Sequence, residues 1–150
     1  MVDNRPLFTI AAFALIFDAE GRVLLCHRRD MDAWNLPGGG LEVGELPNEC
    51  VIREVREETC LEVTIERLVG VYGKPGRNEL VFAFVCRVTG GILGISSESD
   101  ENRYFRPEEL PSNTLLKHAE RVWDALNGSH RPLFRKQGGK QNGQPPAPQS

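Results

Sequence analysis

Arg53-Glu54-Val55-Arg56-Glu57-Glu58 is the stretch whose residue types could do chemistry. It lies in a run, Asn48 to Thr59, that contains no glycine or proline and follows Pro47, a residue suited to a first helical position. At about 100° per residue, Glu54, Glu57 and Glu58 fall within an arc of about 100° on such a helix, while Val51, Ile52 and Val55 occupy a different arc. Two carboxylates about 4 Å apart repel by roughly 4 kcal/mol at an effective dielectric of about 20. Three on one face therefore call for a counter-ion. Oxygen-only donors favour Mg²⁺ or Mn²⁺, and Mg²⁺ draws part of its shell from water and from substrate phosphates. A solvated acidic face, with the glutamates paired to Arg53 and Arg56, is the alternative for an arbitrary helix.

The surrounding spacing decides between them. Gly39 is followed after five residues by Glu45, then after seven by Arg53-Glu54, Val55, Glu57-Glu58 and finally Leu61. This resembles the Nudix box, G-x5-E-x7-R-E-U-x-E-E-x-G-U with U a bulky aliphatic, at every specified position except one, where Cys60 stands for glycine. The resemblance implies a divalent-metal-dependent hydrolase that cuts a phosphoanhydride bond in a nucleoside-diphosphate derivative. ADP-ribose, sugar nucleotides, dinucleoside polyphosphates and (d)NTPs are the candidate substrates. A nucleotide-sensing domain without turnover and an RNA 5′-end pyrophosphohydrolase are the alternatives. It implies an α/β fold, an α/β/α sandwich with a mixed β-sheet between helices and the box forming a loop-helix-loop.

Carried over residue by residue, Glu54, Glu57 and Glu58 are the expected ligands of Mg²⁺ or Mn²⁺, with the Gly38 carbonyl a further one. Arg53 is expected to hold Glu57, and Glu45 and Gly39 to support the loop behind the ligands. The general base is expected from Glu57 or Glu58, or from a later acidic loop with Glu98, Asp100 and Glu101, of which Glu101 ranks first. Arg28, Arg29, Lys74 and Arg77 are candidates to neutralise phosphates, and Trp34, Tyr72 and Phe82 to stack on a base. His118 reads as structural. Cys60 occupies a position that commonly needs a left-handed backbone, at a cost on the order of 1 kcal/mol for a side chain. Leu46 precedes Pro47 where a capping Ser or Thr would be commoner.

The elements that must position these groups can be read outward from the box. Thr9 to Phe17 is nearly continuous apolar sequence, as for a strand covered on both faces, and Asp18 to Gly21 followed by Val23 to Cys26 suggests a β-hairpin with it. Glu62 to Tyr72 and Leu80 to Val88 read as strands, and Ile92 to Ile95 as a short one. Ser96 to Arg103 reads as a polar loop. Leu115 to Leu126 carries apolar residues at helical spacing, ending at Asn127-Gly128. Beyond Phe134 the composition is Gly, Gln, Lys, Asn and Pro, so residues 1–134 are expected to form one domain and 135–150 a disordered tail.

The bulk properties agree with a small enzyme. At 150 residues, 40 % hydrophobic and 26 % charged, the chain falls in the globular range for one domain. Its net charge is −3, and residues 131–150 hold four bases and no acid, which leaves the first 130 residues at −7. An acidic body disfavours a polymeric nucleic-acid partner and leaves a small nucleotide-derived substrate, with the protein as monomer or homodimer. The longest apolar stretch, Leu7 to Phe17, is too short for a bilayer and lacks signal-peptide flanks, which points to the cytoplasm. Cys26, Cys50, Cys60 and Cys86 are scattered, without zinc spacing, and read as free thiols.

Overall fold

The structure, a computed structural model, describes residues 3–128 and 130–138. Its elements in order are β1 (Thr9–Ile16), β2 (Val23–Arg28), β3 (Trp34–Asn35), β4 (Gly38–Gly40), α1 (Pro47–Thr59), β5 (Leu61–Lys74), β6 (Arg77–Gly91), β7 (Ser99–Phe105), α2 (Leu116–Asn127) and β8 (Leu133–Lys136). A mixed five-stranded sheet runs β4-β1-β6-β5-β8, and a three-stranded sheet runs β3-β2-β7. The architecture is the expected α/β type.

Strand β1 is apolar from Ile10 onward because both faces of its sheet are covered. Ala12, Ala14 and Ile16 meet α1 through Cys50, Val51 and Val55 on one side. Leu15, with Val69, Tyr72, Val81 and Ala83, meets Val122 and Ala125 of α2 on the other, together with Leu25, Trp34 and Leu36. Val51 and Val55 are fully buried, each contributing about 1.5–3 kcal/mol of transfer energy. That apolar stripe fixes which face of α1 turns inward, and hence where its glutamates point. Strands β5 and β6 form one long antiparallel hairpin closed at Pro75-Gly76, longer at both ends than the sequence suggests.

Four expectations are corrected. The first two strands are not a hairpin: β1 lies between β4 and β6, both its edges taken, while β2 pairs with β3 and β7. Only Phe17 bridges Val23. The turn forms as read, with Asp18 Oδ1 accepting the Glu20 and Arg22 amides, but it carries the chain from one sheet to the other. Ile92 to Ile95 forms no strand. Most of the Ser96 to Arg103 loop is the edge strand β7, whose charges sit on an outer edge where water can reach them. The 134 boundary falls inside β8, which pairs in parallel with Gly70 to Gly73 of β5, and the Gln137 that follows is buried. A strand added at a sheet edge is stabilised by its neighbour's backbone, which composition does not reveal. Residues 139–150 lie outside the described residues.

Cys26, Cys50 and Cys86 are buried and Cys60 exposed, all as free thiols. Among the described residues no helix is long and apolar enough to cross a membrane.

Candidate active site

The carboxylate-bearing helix α1 is fixed at both ends. At its start Leu46 offers no side-chain acceptor, and Glu49 reaches back so that its Oε1 accepts the Leu46 amide at 2.9 Å. At its end Cys60 takes the left-handed conformation, φ 66° and ψ 11°, and its N–H donates to the Arg56 carbonyl at 3.0 Å. The geometry usual for glycine is therefore kept by a residue with a side chain, the one non-glycine with positive φ among the described residues.

Arg53 binds a ring of acceptors. Its Nε donates to Glu45 Oε2 at 2.7 Å and its Nη2 to Glu45 Oε1 at 2.9 Å, a two-point contact. Its Nη1 reaches Glu54 at 3.0 Å and Glu57 at 3.1 Å, and its Nη2 also reaches the Gly40 carbonyl at 3.2 Å. These bonds hold Glu45 down at about 2. Glu57 is about half exposed and committed to Arg53.

Glu58 turns inward, and Glu54, while still bonded to Arg53, is buried beside it. One oxygen from each, with one from Glu98, lies within 4.8 Å of the others. Glu58 is buried; its Oε2 accepts the Gly38 amide at 3.2 Å, and the Cys26 thiol lies at 4.0 Å. Burial pushes the Glu58 carboxyl far above the usual range, opposed by the Gly38 amide and reinforced by Glu54. Glu54 is raised too, first by burial and against the pull of Arg53. The charge on Glu54 adds to the cost of ionising Glu58, a repulsion that a cation would offset. Glycines make the room: a Cβ on Gly39 would come within 2.8 Å of the Glu54 carboxylate, and one on Gly38 within 2.2 Å of the Ala12 carbonyl. All donors in the cluster are carboxylate oxygens, two of them kept from water, a set suited to a hard divalent ion.

The third carboxylate of the cluster is Glu98, where the resemblance implies Glu57, and Glu101, the loop acid ranked first as general base, is not in it. Glu101 sits on β7 opposite His27, bonded to Arg103, and does not line the cleft. Glu98 holds the position instead. Its placement depends on a bulge: β7 pairs Glu101 with His27 but Ser99 with Arg28, skipping Asp100. The skip lets Ser99 Oγ and Asn102 Nδ2 both donate to the Glu58 carbonyl, at 3.1 and 3.0 Å. The strand following Glu98 is thus pinned to the last turn of α1. Arg29 secures the loop from the other side, its amide on the Glu98 carbonyl and its Nε on the Ser96 carbonyl.

The cluster opens into a cleft of about 480 Å³ whose lining includes Phe13, Arg28, Arg29, Asn35, Ser97 and Glu98. Of the substrate-binding candidates, Arg28 and Arg29 are there. Trp34 is buried edge-on between His27 and Phe105, and Tyr72 is buried with its hydroxyl donating to Asp124 at 2.9 Å; both are core residues. Phe82 packs beside Phe84. Lys74 and Arg77 flank the Pro75-Gly76 turn and do not line this cleft. His118 is buried, its Nδ1 accepting the Leu36 amide at 3.1 Å, and burial holds its pKa well below the usual value. Phe13 and Asn35 went unremarked in the sequence, because one reads as core and the other as loop until the two sheets meet.

A NUDIX domain family model matches residues 7–126. The chain belongs to the Nudix hydrolase family. It is 36 % identical over 137 residues to a MutT-like protein of Streptomyces ambofaciens, covering 91 % of this chain and 88 % of that one. It is 28 % identical over 124 residues to a Bacillus subtilis (strain 168) protein provisionally described as an 8-oxo-dGTP diphosphatase, covering 82 % of this chain and 83 % of that one. The crystal structure of an ADP-ribose pyrophosphatase from Streptococcus suis shares the fold, with a TM-score of 0.68 at 24 % identity, covering 86 % of this chain and 98 % of that one. The segment that resembles the Nudix box, Gly39 to Leu61, runs from β4 through α1 to the first residue of β5.

Proposed function

We propose that this Nudix hydrolase uses Mg²⁺ or Mn²⁺, held by Glu54, Glu58 and Glu98, to hydrolyse a phosphoanhydride bond in a small nucleoside-diphosphate derivative. The observation that carries the reading is the convergence of three carboxylates within 4.8 Å, two of which, Glu58 and Glu98, line a cleft edged by arginines. The Gly38 carbonyl is a further candidate ligand, since its peptide adjoins Glu58 through its amide. Glu57, whose Oε2 accepts from Arg53, keeps its other oxygen for an ion and is a further candidate ligand. When bound, the ion supplies charge neutralisation on the phosphate oxygens and Lewis-acid polarisation.

The remaining work belongs to side chains. Arg28, bridged to Asp30, and Arg29 place two guanidinium groups at the mouth, where they orient the diphosphate. Glu98, the most exposed of the three acids, accepts the proton of the attacking water. Glu58, with the Cys26 thiol beside it, closes the inner end of the cluster. Arg53 keeps Glu54 and Glu45 in register with the Gly38–Gly40 strand. Phe13 and Asn35 line the part of the cleft that receives the nucleoside.

A cleft of about 480 Å³ suits a nucleotide-sized ligand. The Bacillus relative points to an oxidised dNTP, and ADP-ribose, sugar nucleotides and dinucleoside polyphosphates share the required diphosphate. The test is a panel of these compounds incubated with purified protein and Mg²⁺ or Mn²⁺, the products resolved by chromatography. Hydrolysis of at least one, abolished in Glu58→Gln, is expected. Nucleotide binding without any turnover would make the domain a sensor.

A further inference from the structure

A second groove lies between the Pro75-Gly76 end of the β5–β6 hairpin and the first turns of α2, and it is strongly cationic. Lys74, Lys117 and Arg121 line it with a single acid, Glu79. The segment after β8 assembles it: the Gln137 amide donates to the Gly73 carbonyl at 2.7 Å and its Nε2 to the Lys117 carbonyl at 3.0 Å. These bonds tie α2 to the hairpin and bring two lysines to one opening.

Arg121 is the deepest of the three, 3 % exposed. Its guanidinium lies 5.3 Å from the Phe13 ring and 5.4 Å from the Tyr72 ring, and its Nε donates to Gln137 Oε1 at 3.1 Å. Its Nη1 is buried with no hydrogen-bond partner among the described residues. The nearby Asp124 is already engaged by the Tyr72 hydroxyl and by Arg135. A buried cation with an unsatisfied donor is costly, and two ammonium groups beside it add repulsion rather than relief. An anion offsets both penalties together. Burial and the proximity of Lys74 already draw Lys117 down to about 8.

We propose that this groove is a binding site for a phosphate-class oxyanion, separate from the carboxylate cluster. The enclosed room, about 10 Å³, admits one oxygen-sized group. One oxygen of the anion reaches Arg121 Nη1 while the others stay between Lys74 and Lys117. The anion is either a charged group of a bound nucleotide that extends past Phe13, which also lines the cleft, or a free phosphate.

The test uses the full-length, isotope-labelled protein in EDTA, so that it does not depend on metal binding or turnover. Amide shifts are followed by NMR during titration with inorganic phosphate, with chloride at matched ionic strength as the control. Saturable shifts are expected at Gly73, Lys74, Lys117, Arg121 and Gln137, and Lys117→Ala should weaken the fitted affinity by about tenfold, as for loss of a charge-assisted bond. Lys74→Ala, outside α2, repeats the measurement should Lys117→Ala fail to fold. Groove amides that respond equally to chloride, or a phosphate titration unchanged by both substitutions, would overturn the proposal. A parallel titration with ADP separates the sources: joint movement of cleft and groove amides assigns the anion to the nucleotide, and a groove response to phosphate alone assigns it to a free ion.

Discussion

Arg53 and Glu45 are joined at both ends of their charged groups, Nε to Oε2 at 2.7 Å and Nη2 to Oε1 at 2.9 Å, and this contact ties the loop before α1 to its second turn. The bond lowers the Glu45 pKa from 4.5 to about 2 in the folded chain. A depressed folded value means that the stabilisation is complete above the unfolded value and is lost as pH falls through the folded one. Glu45→Gln should therefore melt below wild type at neutral pH, with the gap closing between pH 5 and pH 2. A gap that stays constant over that range would separate Glu45 ionisation from stability. Arg53→Lys should behave similarly, since an ammonium cannot reproduce the two-point contact.

Gly39 is defined by what a side chain would displace. A Cβ there lies 2.8 Å from the Glu54 carboxylate, the end of a side chain that can move without disturbing the backbone. Gly39→Ala should keep its melting temperature close to wild type while losing about tenfold or more in Mg²⁺ affinity or activity. Equal metal affinity, measured by calorimetry, would mean that Glu54 is not held where the ion binds.

Cys60 carries the opposite signature, strain without an evident site role. At φ 66° its side chain costs about 1 kcal/mol relative to glycine, so Cys60→Gly should raise the melting temperature by about 3 °C. Its thiol is exposed, and turnover should not change. A lower melting temperature would show that the Cys60 side chain, which packs near Gly94, contributes more than the strain removes.

Glu98 and Glu101 separate two assignments of the same chemistry. Glu98 shares the cluster with Glu54 and Glu58, whereas Glu101 bonds Arg103 on the outer strand. Glu98→Gln should lower kcat by about a hundredfold with the fold intact, and Glu101→Gln should leave kcat near wild type. The reverse ranking in steady-state assays would return the proton-accepting role to Glu101.

The parts of the fold that were legible in the sequence are those written in local periodicity. The inward valines of α1, the apolar β1 and the stripe of α2 each follow from residues three or four apart, or adjacent. The box glutamates were legible because one helix holds them. Glu98 was not, because its position comes from a bulge at Asp100 and from Ser99 and Asn102 gripping a helix end some forty residues away. The separation of β1 from β2 was likewise hidden, since a tight turn between two apolar runs looks the same whether the runs pair or part. Trp34 and Tyr72 read as candidate stacking platforms with core the commoner role for such aromatics, and burial by elements distant in sequence decides for core.

The most direct measurement is anomalous diffraction from crystals of the protein soaked in Mn²⁺. A peak at about 2.0–2.6 Å from carboxylate oxygens of Glu54, Glu58 and Glu98 is the expected result. A peak elsewhere, or none at a Mn²⁺ concentration that supports turnover, would contradict the assignment of these three acids as the metal site.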